Sequence, residues 1–378
     1  MEYVALKDVC KINMGQSPDS SSYNDKKEGI PFYQGNADFG EKHPIPRVWC
    51  NAPTKIAQPK DILMSVRAPI GALNYAQEKC CIGRGLAAIT PDKDKLSLEF
   101  LYWFLREKNS ELNSKGTGST FKAISKKTLE EIRVPLIDLE KQQKMAQALE
   151  KTYAVIQMRT KQLKELDDLI KARFIELFGD PLIEDDRYPR VPLGSLAEVG
   201  SSKRIFEKEY VSEGIPFYRT KEIVELSKGN RITTELFITK ERYDEIRSEY
   251  GVPQKGDLLI SAVGTIGVIW IVDGKNDFYF KDGNLLRVSA TEKFVPEYLK
   301  HLLEALISAY KSEMSSGTAY AALTISALKE MMVYDVPHAE QEQFAAFVEQ
   351  VDKSKATVQK ALDETQLLFD SLMQQYFG

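Results

Sequence analysis

Few residues in this chain have the types and spacing needed for acid-base or metal chemistry. Asp257 and the segment Asp273-Gly-Lys275 lie on either side of an apolar run, loosely like the carboxylates and lysine of metal-dependent nucleases. Asp-Gly is also among the strongest signals for a hairpin turn, and the first half of the chain has no equivalent segment. We therefore favour a structural turn and keep a metal-dependent nuclease as the alternative.

The histidines and cysteines form no recognisable catalytic or metal-binding pattern. His43, His301 and His338 stand in unrelated sequence contexts, so each is expected to be a solvated or core histidine rather than a member of a catalytic triad. The cysteines lack C-x-x-C spacing, and we predict that they are reduced and structural, with no metal site in this chain. They all lie in the first half: Cys10, Cys50, Cys80 and Cys81.

Composition bounds the class of protein. The chain has 378 residues, 43% of them hydrophobic, which allows two domains that each have a core. The net charge of −4 does not suggest a nucleic-acid partner, so any surface for one must be a local concentration of Lys and Arg. No signal-peptide pattern opens the sequence, and the longest uncharged run, residues 258–272, is too short to cross a bilayer. We expect a cytoplasmic protein.

The chain contains an internal duplication. Gly29-Ile-Pro-Phe-Tyr33 returns as Gly214-Ile-Pro-Phe-Tyr218, and the segment 61–71 returns as 257–267. Further pairs follow in the same order, at offsets between 185 and 202 residues, which indicates a duplication rather than a short-period repeat. They are Gly116-Thr117 with Gly317-Thr318, Val134-Pro135 with Val336-Pro337, and Phe178-Gly179 with Phe377-Gly378.

Each half divides into a strand-rich part and a helical part. Short β-rich runs separated by Asp-Gly turns, with helices predicted at 98–109 and 296–313, make both globular parts α+β. After Pro135 and again after Pro337, a long helical pattern runs without Gly or Pro. We predict four parts: a first α+β domain at 1–138, a long helix at 139–180, a second α+β domain at 181–337, and a second long helix at 338–378.

The two long helices carry a coiled-coil seam with polar interruptions. The polar interruptions fall at different positions along the two helices, so we predict that the helices pair with each other. The alternative is that each helix packs on its own domain. In the first helix the seam is Met145, Leu149, Thr152, Ile156, Arg159, Leu163, Leu166, Ile170, Arg173 and Leu177. In the second it is Phe344, Val348, Val351, Lys355, Val358, Leu362, Thr365, Phe369, Leu372 and Tyr376.

The direction of this pairing follows from reach. A helix of about 40 residues spans roughly 60 Å, whereas the linker at 182–190 reaches roughly 30 Å when fully extended. A parallel pair would require a longer return path than this linker provides. We therefore predict an antiparallel coiled coil that relates the two domains by an approximate twofold axis.

In this arrangement the sequence resembles the specificity (S) subunits of type I restriction-modification systems, over essentially its whole length. The first-half motifs that carry the resemblance are Gly29-Ile-Pro-Phe-Tyr33, Ser65-Val-Arg-Ala-Pro-Ile-Gly71, Ile82-Gly-Arg-Gly85, Gly116-Thr-Gly-Ser-Thr-Phe-Lys122, Val134-Pro135 before Glu140-Lys-Gln142, and Arg173-Phe-Ile-Glu-Leu-Phe-Gly179. Those of the second half are Phe278-Tyr-Phe-Lys-Asp-Gly-Asn284, Ser316-Gly-Thr318 and Val336-Pro-His-Ala-Glu-Gln341.

The resemblance implies two target-recognition domains that each read one half of a bipartite, asymmetric sequence in double-stranded DNA, with the helices as a spacer. It implies partners: modification subunits, expected to be two, and restriction subunits. S-adenosylmethionine, ATP and Mg²⁺ would belong to those partners, and this chain would carry no catalytic residues. The sequence contains neither a G-x-x-x-x-G-K-[ST] phosphate loop nor a [DNS]-P-P-[YFW] tetrapeptide.

Under this interpretation, the candidate DNA-binding residues are those able to bind phosphates or to fork onto base edges. In the first half they are Gln34, Asn36, Arg67, Arg84, Lys122 and Lys126. In the second half they are Arg219, Lys221, Lys281, Asn284 and Tyr320. Gln34 is replaced by Arg219 and Arg67 by Val263, which predicts unlike half-sites. The Gly-Ile-Pro-Phe-Tyr motifs are expected to be core strands rather than contacts.

The long helices also suggest a surface for partner subunits. The candidates near the helix starts are predicted to point outward, and the aromatic ones either bind partners or lock the helix onto its domain. They are Gln142, Gln143, Phe174, Phe178, Gln341 and Gln343. Two other classes remain open: a nuclease in its own right and a protein scaffold that binds no DNA. A specificity subunit of a fused methyltransferase-nuclease is a further alternative.

Overall fold

The computed structural model describes residues 2–117, 122–183, 186–289, 293–314 and 322–378, and Met314 without its side chain. The chain divides into two compact units. Unit 1 comprises Met1–Thr160 and Lys360–Gly378, and unit 2 comprises Lys161–Gln359. Each unit contains both strands and helices, so the predicted mixed α and β character is confirmed.

Unit 1 is built on three sheets. Its strands are β1 (Glu2–Ala5), β2 (Cys10–Met14), β3 (Tyr23–Asn24), β4 (Ile30–Tyr33), β5 (Val48–Cys50), β6 (Ile56–Ala57), β7 (Ile62–Ser65), β8 (Leu73–Tyr75), β9 (Cys80–Ile82), β10 (Leu86–Pro91) and β11 (Arg133–Leu136). The strand orders are β1-β11, β2-β10-β7-β8 and β3-β5-β4-β9-β6. Strands β4 and β9 are parallel, with Phe32 opposite Cys81.

The helices of unit 1 lie mainly after the sheets in the chain. They are α1 (Leu6–Val9), α2 (Leu98–Glu107), α3 (Asn109–Ser114), α4 (Lys126–Glu130) and the first part of α5 (Leu139–Phe178). Helix α2 begins where Ser97 caps it, since the Ser97 side chain accepts a hydrogen bond from Phe100 N–H. It buries Phe100, Trp103 and Phe104 in the core of unit 1.

Unit 2 repeats much of this arrangement. Its strands are β12 (Arg190–Pro192), β13 (Val199–Gly200), β14 (Ile215–Tyr218), β15 (Phe237–Ile238), β16 (Leu258–Ser261), β17 (Ile269–Ile271), β18 (Tyr279–Phe280), β19 (Leu285–Val288) and β20 (Met332–Tyr334). The orders are β12-β20, β13-β19-β16-β17 and β15-β14-β18. The parallel pair returns as β14 with β18, where Phe217 lies opposite Tyr279.

The helices of unit 2 differ most clearly from those of unit 1 after the repeated strand. Helix α6 and, after β15, helix α7 follow β14, where unit 1 has a 3-10 turn and the short strands β5 and β6. The helices are the second part of α5, α6 (Thr220–Ser227), α7 (Lys240–Glu249), α8 (Pro296–Met314), α9 (Ile325–Glu330) and the first part of α10 (His338–Phe377), whose second part belongs to unit 1. No helix in the described part of the chain is both long enough and apolar enough to cross a membrane.

The two 40-residue helices, α5 and α10, each contribute to both units. Helix α5 begins after Asp138, whose carboxylate accepts the backbone N–H of Glu140 (2.9 Å). It ends before Gly179, which adopts a left-handed φ of 90° that glycine takes up without strain. The sequence pattern predicts both long helices, because neither stretch contains a glycine or proline that would break a helix.

Each unit has its own aromatic core around one end of these helices. In unit 1, Phe377 packs edge-on against Phe100, with ring centroids 5.3 Å apart. In unit 2, Phe178 packs edge-on against Tyr298, at 4.9 Å. Because the two contacts join equivalent helix ends to α2 and α8, the duplication extends to the packing.

The cysteines are free and buried, as the sequence predicts. Burial raises the pKa of the Cys10 and Cys80 thiols to about 12. Only the thiolate is an efficient nucleophile. We therefore expect iodoacetamide at pH 8 to label the native chain about 100-fold more slowly than the urea-unfolded chain.

Mass spectrometry of the labelled chain over time measures this difference. The unfolded chain is the internal control, because all its thiols should react. Rapid labelling of the native chain at Cys10 or Cys80 would contradict the prediction.

Candidate nucleic-acid interface

In unit 1, the predicted DNA-binding residues lie on backbone segments that are hydrogen-bonded side by side. Gly85 N–H donates to the Gln34 carbonyl oxygen (3.2 Å), and Val66 N–H donates to the Gly85 carbonyl oxygen (2.9 Å). Ala68 N–H donates to the Lys122 carbonyl oxygen (3.0 Å). The exposed side chains along these segments form what we call the Gln34 surface: Gln34, Arg67, Arg84 and Lys122.

Ser17 joins two members of the Gln34 surface. Its Oγ lies 3.0 Å from Gln34 Nε2 and 3.2 Å from Gln34 Oε1, and it accepts the backbone N–H of Arg84 (3.3 Å). The side-chain amide of Gln34 is therefore oriented, while the residue itself is exposed. No repeated motif in the sequence indicated Ser17.

Hydrogen bonds from a buried serine stabilise the loop that carries Arg67. Ser65 Oγ donates to the Pro69 carbonyl oxygen (2.6 Å) and accepts the N–H of Ala72 (2.9 Å). The equivalent Ser261 Oγ in unit 2 donates to the Thr265 carbonyl oxygen and accepts the N–H of Val268. Both serines are buried, so the two loops have the same support although their tips differ.

Two further unit 1 candidates lie beside the Gln34 surface or on a separate helix. Asn36 is half-buried in a short 3-10 turn that Asp38 holds against the backbone N–H of Gln34 (2.7 Å). Lys126 begins α4 and is exposed, with its ammonium group 3.4 Å from the Glu130 carboxylate. Its position as a DNA-binding residue remains a prediction.

Unit 2 repeats two of the backbone hydrogen bonds with different side chains. Lys281 N–H donates to the Tyr218 carbonyl oxygen (2.9 Å), and Ala262 N–H donates to the Asn284 carbonyl oxygen (2.8 Å). In unit 1, Gly83 N–H donates to Tyr33 in the same way (2.8 Å). We call the surface along these segments the Arg219 surface: Arg219, Lys221, Val263, Lys281 and Asn284.

An open depression of about 590 Å³ lies on the Arg219 surface. Lys221, Val263 and Asn284 line it together with Thr220 and Thr265. The structure thus brings these three sequence-derived positions to one place. Tyr320, the remaining candidate of the second half, lies outside the described residues.

The two surfaces differ most in charge at the turn after β9 and β18. Arg84 stands between two glycines in unit 1, whereas Asp282 stands at this turn in unit 2. The Asp282 carboxylate accepts a hydrogen bond from Arg204 Nε (2.8 Å), and the Arg204 side chain is 67% exposed. Arg204 belongs to no motif, so no pattern in the sequence selects it.

The repeated Gly-Ile-Pro-Phe-Tyr motifs are core strands, which confirms that prediction. Phe32 and Tyr33 are buried in unit 1, and Phe217 and Tyr218 are buried in unit 2. The strands place the variable residues Gln34 and Arg219 directly after their last buried tyrosines.

The prediction that Gln142 points outward is wrong. Gln142 is fully buried: its Oε1 accepts the N–H of Ser97 (2.8 Å), and its Nε2 donates to the carbonyl oxygens of Lys95 (2.9 Å) and Ile137 (2.8 Å). The side chain ties the start of α5 to the start of α2, so it offers no surface to a partner.

The same correction applies to Gln341 in unit 2. It is fully buried, accepts the N–H of Val295 (2.8 Å) and donates to the Lys293 (3.1 Å) and Val336 (2.9 Å) carbonyl oxygens. Gln143 and Gln343 are exposed on the same helices. Of the four glutamines, only these two are exposed, and their role in partner binding stays a prediction.

Phe174 and Phe178 lie in the core of unit 2. The Phe174 ring stacks with Tyr298 (5.6 Å) and meets Phe344 edge-on (5.4 Å), while Phe178 contacts the same two rings. Of the two alternatives raised by the sequence, the structure supports the locking role. A partner-binding role is contradicted because both side chains are buried.

We expect Gln142→Ala to lower the free energy of unfolding by about 3 kcal/mol, because it removes a buried amide and leaves three partly buried backbone groups without their side-chain partner. Urea unfolding followed by circular dichroism measures the change. Gln143→Ala, the exposed neighbour, is the matched control and should shift stability by less than about 0.5 kcal/mol. Equal effects of the two substitutions would contradict a stabilising role for the Gln142 hydrogen bonds at the start of α5.

The residues considered for nuclease chemistry have structural roles. Asp257 is buried, and its carboxylate accepts the N–H of Gln254 (2.9 Å), as Asp61 does with Gln58 in unit 1. Asp273 pairs with Lys275 (3.0 Å) next to a turn. Among the described residues, no group of three or more His, Cys, Asp and Glu side chains could hold a metal ion.

Comparison with known proteins adds a family match. The model of the type I restriction modification DNA specificity domain matches residues 1–168 and again 187–365. The two matches cover both copies of the duplicated module.

Curated relatives and a solved structure agree with this match. A protein of Methanocaldococcus jannaschii with the provisional name type I restriction enzyme MjaX specificity subunit is 45% identical over 157 residues, which is 42% of this chain but only 37% of that protein. The type I restriction enzyme EcoBI specificity subunit of Escherichia coli is 22% identical, over 99% of this chain and 85% of its own length. The crystal structure of a type I S subunit from M. genitalium covers this whole chain and 96% of its own, at 16% identity and a TM-score of 0.61, and so shares the fold.

Proposed function

This chain belongs to the family defined by the type I restriction modification DNA specificity domain, and on that premise we propose that it is the DNA-recognition subunit of a type I restriction-modification complex in the cytoplasm. Each unit reads one half of a bipartite, asymmetric target in double-stranded DNA. The chain contributes recognition and no catalysis.

One observation carries this proposal: the two units present different side chains on the same backbone framework. Two backbone hydrogen bonds next to the Gln34 surface recur next to the Arg219 surface: Val66 to Gly85 returns as Ala262 to Asn284, and Gly83 to Tyr33 returns as Lys281 to Tyr218. Gln34 is exchanged for Arg219 and Arg67 for Val263 on these frameworks. A constant framework with variable hydrogen-bond donors suits two domains that read unlike base sequences.

The long helices act as the spacer between the half-sites and pair as an antiparallel coiled coil. All twenty positions of the predicted seam are buried or half-buried, which supports this pairing. Within unit 2, Asp167 on α5 pairs with Lys355 on α10 (2.6 Å), and Phe174 contacts Phe344. From Asp167 to Phe174 the residue number on α5 rises, while from Lys355 to Phe344 the number of its partner on α10 falls. Paired helices with this order run antiparallel.

The exposed faces of the helices, including Gln143 and Gln343, dock two modification subunits. These partners bring S-adenosylmethionine and methylate adenine at the site that this chain selects. Restriction subunits join the assembly and contribute ATP- and Mg²⁺-dependent translocation and cleavage. The alternative of a fused methyltransferase-nuclease partner changes the partner and leaves the recognition role of this chain unchanged.

Duplex binding by purified modification subunits, with and without this chain, tests the proposal. We expect tight, sequence-dependent and salt-dependent binding only when the chain is present. A protein scaffold would leave duplex binding unchanged. A nuclease would cut DNA with Mg²⁺ in the absence of partners and lose that activity on Asp257→Ala or Asp273→Ala.

A further inference from the structure

Arg219 is held in a defined orientation by a buried carboxylate. Glu222 is only 2% exposed, and it accepts the backbone N–H of Arg219 (2.8 Å) through Oε2. The same carboxylate receives Arg219 Nη2 at 3.1 Å on Oε1 and Arg219 Nε at 3.5 Å on Oε2. The Arg219 side chain remains 33% exposed.

This pairing occupies one edge of the guanidinium group and leaves another available. Nε and one N–H of Nη2 face Glu222, so the outer edge retains the N–H groups of Nη1 and the second N–H of Nη2. Two parallel donors on a planar group match the O6 and N7 acceptors of guanine in the major groove, the commonest specific contact of arginine with DNA. Because the carboxylate already fixes the side chain, binding costs less conformational entropy.

The equivalent position in unit 1 offers different chemistry on the same support. Gln34 follows the same strand, and Asp38 accepts its backbone N–H (2.7 Å) as Glu222 accepts that of Arg219. The Gln34 side chain is an amide oriented by Ser17. Unlike the two donors of a guanidinium fork, an amide combines a donor with an acceptor, which is the combination that adenine N7 and N6 require.

We infer that Arg219, positioned by Glu222, reads the guanine of one G·C pair in the half-site that unit 2 selects. The inference rests on the proposed function and adds to it a base, a residue and a positioning residue. Glu222 acts through Arg219 and does not contact the DNA.

The test compares variants of the full chain, each expressed with its modification subunits in a host that lacks them, by sequencing the methylated motif. Arg219→Ala should lower discrimination at a single G·C pair by about 10- to 100-fold. The other half-site should stay unchanged. Arg219→Gln should shift the preferred base at that pair toward A·T.

Two further variants separate base reading from folding. Arg219→Lys keeps the positive charge beside Glu222 but loses the fork, so it should preserve the melting temperature and still relax the same pair. Arg242→Gln removes a comparable arginine of unit 2 and should leave the motif unchanged. Arg242 lies on α7 and pairs with Glu209 (2.9 Å). Where methylation by a variant is too slow, competition among the four duplexes that differ at that pair gives the same ratio.

An unchanged motif in both Arg219→Ala and Arg219→Lys would overturn the inference, even if Arg219→Ala lowered the melting temperature, because the arginine would then serve only to neutralise Glu222. Relaxation at an A·T pair would overturn it as well. A wild-type chain that yields no bipartite motif would instead contradict the proposed function.

Discussion

Replacing Arg67, Arg84 and Lys122 together with alanine is expected to weaken the binding of the assembled complex to its target duplex about 1000-fold. Each side chain is exposed on hydrogen-bonded neighbouring segments of the Gln34 surface. Losing one contact of an arginine or lysine with a base or phosphate costs about tenfold in affinity. Treated as independent contacts, the three losses multiply to about 1000-fold.

Fluorescence anisotropy at several salt concentrations measures both the affinity and its salt dependence. Each phosphate contact that is removed should reduce the slope of log K against log salt by about 0.9. Removing a base contact reduces the affinity and alters the sequence preference, with little change in the slope. The slope therefore separates the two roles among the three residues.

Lys11, Lys93 and Lys95 provide a control with the same change in net charge. All three are exposed near the far end of β10, where Lys11 pairs with Thr90, whereas Arg84 precedes the start of that strand. The six residues of β10 span about 20 Å. Alanine at all three should change affinity less than fivefold, and a loss equal to that of the Gln34 surface would mean that only total charge matters.

Deleting one heptad from each long helix is expected to shorten the gap between half-sites by about three base pairs and to abolish methylation of the original site. Seven residues of helix span about 10.5 Å, and adjacent base pairs rise by about 3.4 Å. Residues 160–166 and 356–362 are suited to removal because the contacts of Tyr153 with Phe369 and of Asp167 with Lys355 remain on either side.

Sequencing of the methylated motif reads both halves and the gap in one experiment. A heptad deletion from α5 alone is the control, since it disturbs the seam without a matching change in α10. The spacer role would be wrong if the double deletion altered the bases of a half-site, or left the gap unchanged in an active complex.

The sequence predicts the strand ends that carry the variable residues because the duplication marks them. The repeated Gly-Ile-Pro-Phe-Tyr strands are identical in both halves, so the change from Gln34 to Arg219 just beyond them is visible without a structure. Ser17, Arg204 and Glu222 could not be selected in the same way. They reach these surfaces through folding and carry no repeated motif that identifies them.

The burial of Gln142 and Gln341 was missed although a signal for it exists. Gln142 lies three or four residues before Met145 and Ala146, and seven before Leu149, on the apolar stripe of α5. The polar residue type alone predicts exposure, whereas the position on the helix places the amide inside. Its acceptors, the carbonyl oxygens of Lys95 and Ile137, follow from tertiary packing and are not evident from sequence.

The proposed role requires that one chain selects a DNA target in two unlike parts. N6-methyladenine sequencing across the genome tests this role, by comparing a host that expresses this chain and its modification subunits with a host that lacks the chain. We expect one new motif in two unlike halves separated by a fixed gap. A correctly assembled complex that adds no motif, or a motif without a gap, would contradict it.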